Sequence, residues 1–234
     1  MIAVLQSRTD KSLEHEQACF AKYLPYQELR FFSIFKDEDK EKILDADYLM
    51  KTFDKIIVAG SSEVWLSKDD DMTHTAKTTL LPTIKRLVEA NFPLLGICFG
   101  HQLISMALGG VVADSKTQSE GGIQRIRFTD SGWTDPLFEG LHNPLSVSEG
   151  HDDSVVTMPD GVVHLAFSEK CPAQAMRIGD NIYGVQFHPE LVQEDLFERW
   201  RVSKPYGGEV LQAGGRINHG PQILNNFVSM PVAV

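Results

Sequence analysis

Cysteine is scarce in this chain: Cys19, Cys98 and Cys171 are the three present, widely spaced and odd in number. That argues against a disulfide framework and for a reducing, cytoplasmic compartment. No apolar run approaches the ~20 residues of a membrane span, and Met1–Leu5 passes into polar Gln6–Asp10 without the apolar stretch of a signal peptide. Positive charge is also short, with 22 Lys and Arg against 32 Asp and Glu for a net charge of −10. Gripping nucleic-acid phosphates needs Lys/Arg patches, so neither a nucleic-acid nor a membrane partner is expected. Internal repeats and low-complexity tracts are missing too.

Metal motifs are equally thin. Lys68-Asp69-Asp70-Asp71 is acidic, but it precedes a helical stretch, where acidic groups complement the helix dipole. Cys98 and His101 have C-x-x-H spacing, yet a helix beginning at Cys98 turns His101 away from it. No metal and no cofactor is therefore expected. What remains is a globular composition, 42% hydrophobic and 23% charged over 234 residues, suited to a single domain across 1–234 with 204–234 as a loop-and-helix extension.

Apolar strands alternate with helical stretches through the first half. Ile2–Leu5, Leu29–Phe35 and Lys55–Ala59 read as strands, and Leu13–Tyr23 as a helix. A longer helix over Thr75–Ala90 has Leu80, Leu81, Ile84, Leu87 and Val88 on one face before Asn91 and Pro93 stop it. Such alternation predicts a parallel sheet covered by helices on both faces, a three-layer α/β/α sandwich. After Gly110 the runs shorten to Ile123–Phe128, Val162–Phe167 and Ala173–Ile178, read as antiparallel strands added at the edge. Turns are expected at Gly132 and at Gly179-Asp180-Asn181, the second folding Tyr183–Phe187 back on Ala173–Ile178. Lys204–Gln222 reads as a long loop before a short helix near Ile223–Val228.

One segment carries most of the chemistry. The apolar run Pro93–Ile97 ends at Cys98, flanked by Gly96 and Gly100, and a helical pattern of Phe99, Leu103, Ile104, Ala107 and Leu108 follows at once. A reactive side chain on a sharp strand-to-helix turn, with glycines letting the backbone come close, is a nucleophile elbow. The positive end of the helix would lower the thiol below its usual ~8.5. A buried packing cysteine is the alternative, and it is the reading for Cys19 and Cys171. Further on, another apolar strand, Tyr183–Phe187, runs into His188-Pro189-Glu190. In extended chain i and i+2 project to one side, so Glu190 can orient the His188 imidazole as general base. A solvated pair at a sheet edge is the competing reading. Lys55–Ala59 ends in Gly60-Ser61-Ser62, a small-residue loop whose Gly60 N–H, with that of Phe99, can face an oxyanion.

Together these segments resemble the class I glutamine amidotransferases, whose signatures are G-x-C-x-G-x-Q and a later H-P-E. The resemblance spans roughly residues 1–200 and includes Gly109-Gly110-Val111, Asp135–Leu141 and Gly150–Val155. It implies a flavodoxin-like α/β sandwich with no cofactor. It implies Cys98 as nucleophile, His188 as base and acid, Glu190 as orienter, and Gly60 and Phe99 as oxyanion donors. Gln102, with backbone at Ser62, Gly150, Asp152 and Asp153, would hold the amino-acid end of the substrate. Two departures stand out: Ser61 and Ser62 where the family usually carries a second glycine or a proline, and Gly150 where relatives place Ser or Asn.

The implied reaction is cleavage of the γ-glutamyl amide of glutamine or a related γ-glutamyl compound through a thioester. Only 44 residues follow Glu190, too few for an ATP-using synthase domain. The nitrogen then has two fates: release by a stand-alone hydrolase, towards which the Gly-rich tail and altered loop lean, or delivery to a separate synthase chain of the GMP synthase type. A non-catalytic regulatory subunit is the third reading, and the complete Cys98/His188/Glu190 set speaks against it.

Overall fold

The structure, a computed structural model, describes residues 1–203 and 218–231. Its strands are β1 (Ile2–Gln6), β2 (Leu29–Ser33), β3 (Lys55–Val58), β4 (Leu94–Ile97), β5 (Val111–Asp114), β6 (Glu120–Phe128), β7 (Leu145–His151), β8 (Asp153–Thr157), β9 (Val163–Phe167), β10 (Ala175–Ile178) and β11 (Ile182–Val185). The helices are α1 (Ser12–Tyr23), α2 (Asp37–Leu44), α3 (Ala46–Thr52), α4 (Asp71–Glu89), α5 (Phe99–Ala107), the single turn α6 (Asp130–Trp133), α7 (Gln193–Val202) and α8 (Gly220–Ser229).

Nine strands form one sheet in the order β2-β1-β3-β4-β11-β10-β9-β6-β7. From β2 to β11 every pairing is parallel. From β11 to β7 every pairing is antiparallel, which is the expected edge addition. The parallel core strands are buried, and alternate residues sort to opposite faces as the period-two pleat requires. Val4, Ile57, Leu95 and Val185 pack with Phe20 of α1 and Phe227 of α8 on one side. Ala3, Leu5, Ile56, Val58 and Leu94 pack with Leu80, Ile84 and Leu87 of α4 and Leu103 of α5 on the other. Three layers result, and the carboxyl ends of β3, β4 and β11 lie side by side.

Several local readings change. The turn expected at Gly132 is the single turn α6 instead: Thr129 Oγ1 accepts from Gly132 N–H at 3.1 Å, and a Cβ at 132 would meet the Leu165 carbonyl at 1.9 Å. Glycine is needed there for close approach to β9. Helices α2 and α3 escaped the periodicity reading because α2 buries only Ile43 and α3, seven residues long, buries only Ala46 and Leu49, too little apolar signal to mark a face. Strands β5 and β8 pair as a separate two-stranded sheet. The acidic run before α4 is a cap: Asp70 Oδ1 accepts from Thr73 N–H at 2.8 Å. The 179–181 hairpin joins β10 to β11, and the terminal helix is present as α8. The long loop read over 204–222 falls mostly outside the described residues.

Candidate active site

Cys98 sits where β4 stops and α5 starts. Its φ of +50° and ψ of −101° lie in a region that L residues rarely occupy. The flanking glycines make this turn sterically feasible. A Cβ on Gly96 would lie 2.5 Å from the Gly100 carbonyl group, and one on Gly100 only 2.2 Å from the Val58 carbonyl oxygen. The pair therefore lets the elbow fold on itself and lets α5 rest directly on β3.

The register of β11 against β4 places the second half of the site. Val185 is opposite Ile97, and Cys98 N–H donates to the Val185 carbonyl at 2.8 Å. The next residue, Gln186, reaches the nucleophile directly: its Nε2 donates to Cys98 Sγ at 3.5 Å and its Oε1 accepts from Gln102 Nε2 at 3.2 Å. Gln102 Nε2 also donates to the Asp153 carbonyl at 2.7 Å. Two residues past Gln186, His188 Nδ1 lies 2.8 Å from Glu190 Oε1. His188 is anchored to β7 through its N–H and the Ser148 carbonyl, 2.8 Å apart. Gly60 at the end of β3 lies against the same imidazole, since a Cβ there would be 2.7 Å from His188 Cε1. All three strand ends thus contribute to one edge of the sheet, the place where open α/β sheets bind ligands.

A narrow cleft, with room for only about 20 Å³, lies over Cys98. Phe99, Gln102, Gly150, Asp152 and Asp153 line it, as do Ser61, Val64, Trp65 and His151, which the motifs did not single out. Asp153 Oδ2 accepts from Ser67 N–H at 3.0 Å, while Oδ1 is buried with no hydrogen-bond partner among the described residues. Asp152 Oδ1 accepts from Ser119 Oγ at 2.7 Å. Ser62 is one residue outside the lining, its hydroxyl 3.4 Å from that of Ser12. His101 is buried on α5, and burial lowers its pKa to about 3, so it is a neutral packing group with no part in a C-x-x-H site.

Charges behind the triad were not foreseen. Arg8 Nε lies 2.6 Å from Glu16 Oε2, and Arg199 Nη1 lies 3.7 Å from Glu16 and 3.6 Å from Glu190 Oε1. All four side chains are buried, two cations against two anions. Burial by itself would raise the Glu190 pKa, but His188 and Arg199 outweigh it and hold the carboxyl at about 2. Cys98 runs the other way from the expectation of a lowered thiol. Burial, with Glu149 adding, pushes it up to about 12, while Arg8 and the Phe99 N–H oppose. Burial thus outweighs the helix end at this sulfur.

Gln186 was missed, though it lies two residues before His188 on the run out of β11. The chain then turns at Pro189-Glu190, with Leu191 N–H donating to the His188 carbonyl at 3.3 Å, so it is a turn and not the expected extended alternation that brings Glu190 to His188. An N–H aimed at sulfur favours the thiolate over the thiol. Replacing it by the similarly sized Leu is expected to lower kcat on glutamine about tenfold with KM within twofold, as for loss of one modest charge-assisted hydrogen bond. Steady-state kinetics across a pH series checks this, the apparent thiol pKa rising in the variant.

Comparison with known proteins fits this geometry. A model of the family "Glutamine amidotransferase class-I" matches residues 32–197, well over half of the chain. The chain belongs to the class I glutamine amidotransferase family. This amidotransferase is 35% identical over 171 residues to the glutamine-hydrolyzing GMP synthase subunit of Sulfolobus acidocaldarius, covering 73% of this chain and 81% of that one. It is also 35% identical over 144 residues to the corresponding subunit of Methanosphaera stadtmanae, covering 58% and 70%. A glutamine amidotransferase from Thermotoga maritima superposes with a TM-score of 0.64 at 18% identity, over 85% of this chain and 79% of that one. Another from Methylobacillus flagellatus gives 0.63 at 21%, over 97% and 86%. At those identities the structures speak for the fold, an α/β sandwich of flavodoxin-like type with a mixed sheet whose central strands are parallel. Family and relatives together make the chain a glutamine amidotransferase enzyme. Among the described residues, no helix is long and apolar enough to cross a membrane.

Proposed function

We propose that the chain hydrolyses the side-chain amide of glutamine with Cys98 as nucleophile, His188 as general base and acid, and Glu190 as orienter. The observation that carries this reading is the buried His188–Glu190 pair, 2.8 Å apart, on the same sheet edge as a strained, positive-φ cysteine at a helix start. Glutamine enters the cleft with its amide carbonyl over Cys98. The thiol proton passes to His188 as sulfur bonds to the amide carbon, and the carbonyl oxygen becomes an oxyanion facing the N–H groups of Phe99 and Gly60. His188 then gives that proton to the departing nitrogen, and ammonia leaves a γ-glutamyl thioester. Water loses a proton to His188, adds to the thioester, and glutamate departs as the thiol is restored. Glu190, held ionised by Arg199 and the imidazole, keeps His188 in one tautomer and stabilises it when charged.

The amino-acid end of the substrate goes to Gln102, Gly150, Asp152 and Asp153, with backbone at Ser62. The unpartnered Asp153 Oδ1 is suited to the α-ammonium. We read 1–234 as one domain of this kind with 204–234 as its extension.

For the nitrogen, the relatives named as glutamine-hydrolyzing subunits of GMP synthase favour delivery to a separate synthase chain over a stand-alone γ-glutamyl hydrolase. Ammonia release is the test, with L-glutamine and a γ-glutamyl dipeptide offered to the isolated chain and to the chain mixed with a synthase chain of the GMP synthase type. Slow turnover of glutamine that rises at least tenfold on mixing is the expected result. Fast, partner-independent cleavage of the dipeptide would instead establish the stand-alone hydrolase.

A further inference from the structure

His151 lines the cleft, and its imidazole also belongs to a second cluster that the proposed chemistry does not use. Its Nε2 lies 3.6 Å from Glu149 Oε2 and 3.9 Å from Glu120 Oε2. Ligand atoms of Glu120, His151 and Cys171 all lie within 4.8 Å of one another. All four side chains are buried, Glu149 and Cys171 completely. We propose that Glu120, Glu149, His151 and Cys171 form a structural zinc site that ties β6 and β7 to the loop carrying Cys171.

Three observations converge. First, Glu149 is a carboxylate in the interior with neither oxygen in a hydrogen bond to any described residue. An ionised carboxylate in such a place demands a cation. Second, the gaps are too long for hydrogen bonds yet suit ligands around one ion. Bonds of ~2.0–2.3 Å in a tetrahedron put ligand atoms roughly 3.3–3.7 Å apart, close to the 3.6 and 3.9 Å that separate His151 Nε2 from the two carboxylates, and Cys171 lies within 4.8 Å of Glu120 and His151.

Third, the surrounding contacts are those of a supported metal site. His151 Nδ1 lies 3.1 Å from the Asp153 carbonyl, which sets its proton on that nitrogen and turns the Nε2 lone pair towards the acids. Glu120 Oε2 accepts from Ser168 Oγ and Gln174 Nε2, each at 2.7 Å. Thiolate, imidazole and carboxylate together select zinc over magnesium or calcium. Binding releases the Cys171 thiol proton, and the Glu149 proton where it is held, to solvent. The ligand positions 120, 149, 151 and 171 have no regular spacing, so no sequence motif marks them. Because the site is enclosed, the ion enters as the chain folds.

The test uses the full chain, unfolded with chelator and refolded with zinc or with cobalt(II). We expect about one zinc per chain by elemental analysis. With cobalt we expect a near-ultraviolet thiolate-to-cobalt band that Cys171→Ser removes and Cys98→Ala keeps. Glu149→Gln should lower Tm in the zinc-loaded protein. A chain that refolds by circular dichroism with no stoichiometric metal and no cobalt band overturns the proposal. So does a Glu149→Gln variant whose Tm rises equally with and without zinc, which would identify a shared proton as the compensating charge. None of these readouts depends on the glutamine reaction, so its failure and the failure of the site are separable.

Discussion

Cys98→Ala will fold normally and lose glutamine hydrolysis by at least ~10⁴-fold, the scale seen when a covalent nucleophile is removed. The loss follows from the chemistry: without sulfur no thioester forms, and His188 has no proton to relay. Structure adds a second, separable effect. The backbone at Cys98 holds φ at +50°, and Ala has the same Cβ, so Cys98→Ala leaves that strain in place. Cys98→Gly relieves it. Strain of this kind is worth ~1–3 kcal/mol, and extra flexibility of glycine in the unfolded chain takes back up to ~1 kcal/mol. The glycine variant is therefore expected to be about 1 kcal/mol more stable than the alanine variant, though equally inactive. Ammonia release and denaturant unfolding of the three proteins check both parts. Hydrolysis surviving in either variant would remove Cys98 from the mechanism. Equal stability of the two would mean that the elbow stores no strain.

What could be read from the chain, and what could not, divides along a physical line. Local periodicity and motif spacing reach as far as one element and its turn. Hence β4–Cys98–α5, the β11 segment ending in His188 and Glu190, and the parallel-then-antiparallel order of the sheet were all legible. So was the helix cap at Asp70. Single polar residues that meet only in three dimensions were not. Arg8, Glu16 and Arg199 come from a loop after β1, from α1 and from α7, more than 180 residues apart at the extremes, and each alone resembles an ordinary surface charge. Glu120, Glu149 and Cys171 share that fate. The Cys98 thiol failed for a different reason. Position at a helix start is a local feature that argues for a low pKa, but burial is set by the whole fold and dominates it. Trp65 and Val64 are in the cleft because the Ser61–Ser67 loop folds over the strand ends, a matter of loop conformation with no periodic signal.

The buried charges carry the largest expected effect on stability. Arg199 stands between two carboxylates, Glu16 and Glu190, with Arg8 opposite on Glu16. Arg199→Leu removes one cation from a neutral set of four and leaves two buried anions sharing one. Breaking a buried pair in this way costs ~3–5 kcal/mol, far more than the pair's net worth. The function is hit too, since Glu190 then loses one of the two groups that hold its pKa at about 2. A group whose folded pKa is depressed contributes stability that is present above its unfolded value, 4.5, and lost as pH falls towards the folded value. For the native protein that window runs from about 4.5 down to about 2. With Arg199 gone the folded pKa rises, the window narrows from below, and the His188–Glu190 pair is disrupted at a higher pH. The acid limb of kcat should therefore move to higher pH in Arg199→Leu, with KM for glutamine nearly unchanged because no substrate group touches Arg199. Arg199→Lys, which keeps the charge but not the fork, should restore much of the stability and return the acid limb towards the native position. A variant whose acid limb stays put while stability falls would make Arg199 purely structural. A variant as stable as the native protein would mean that Arg8 and the backbone already hold Glu16 and Glu190 without it.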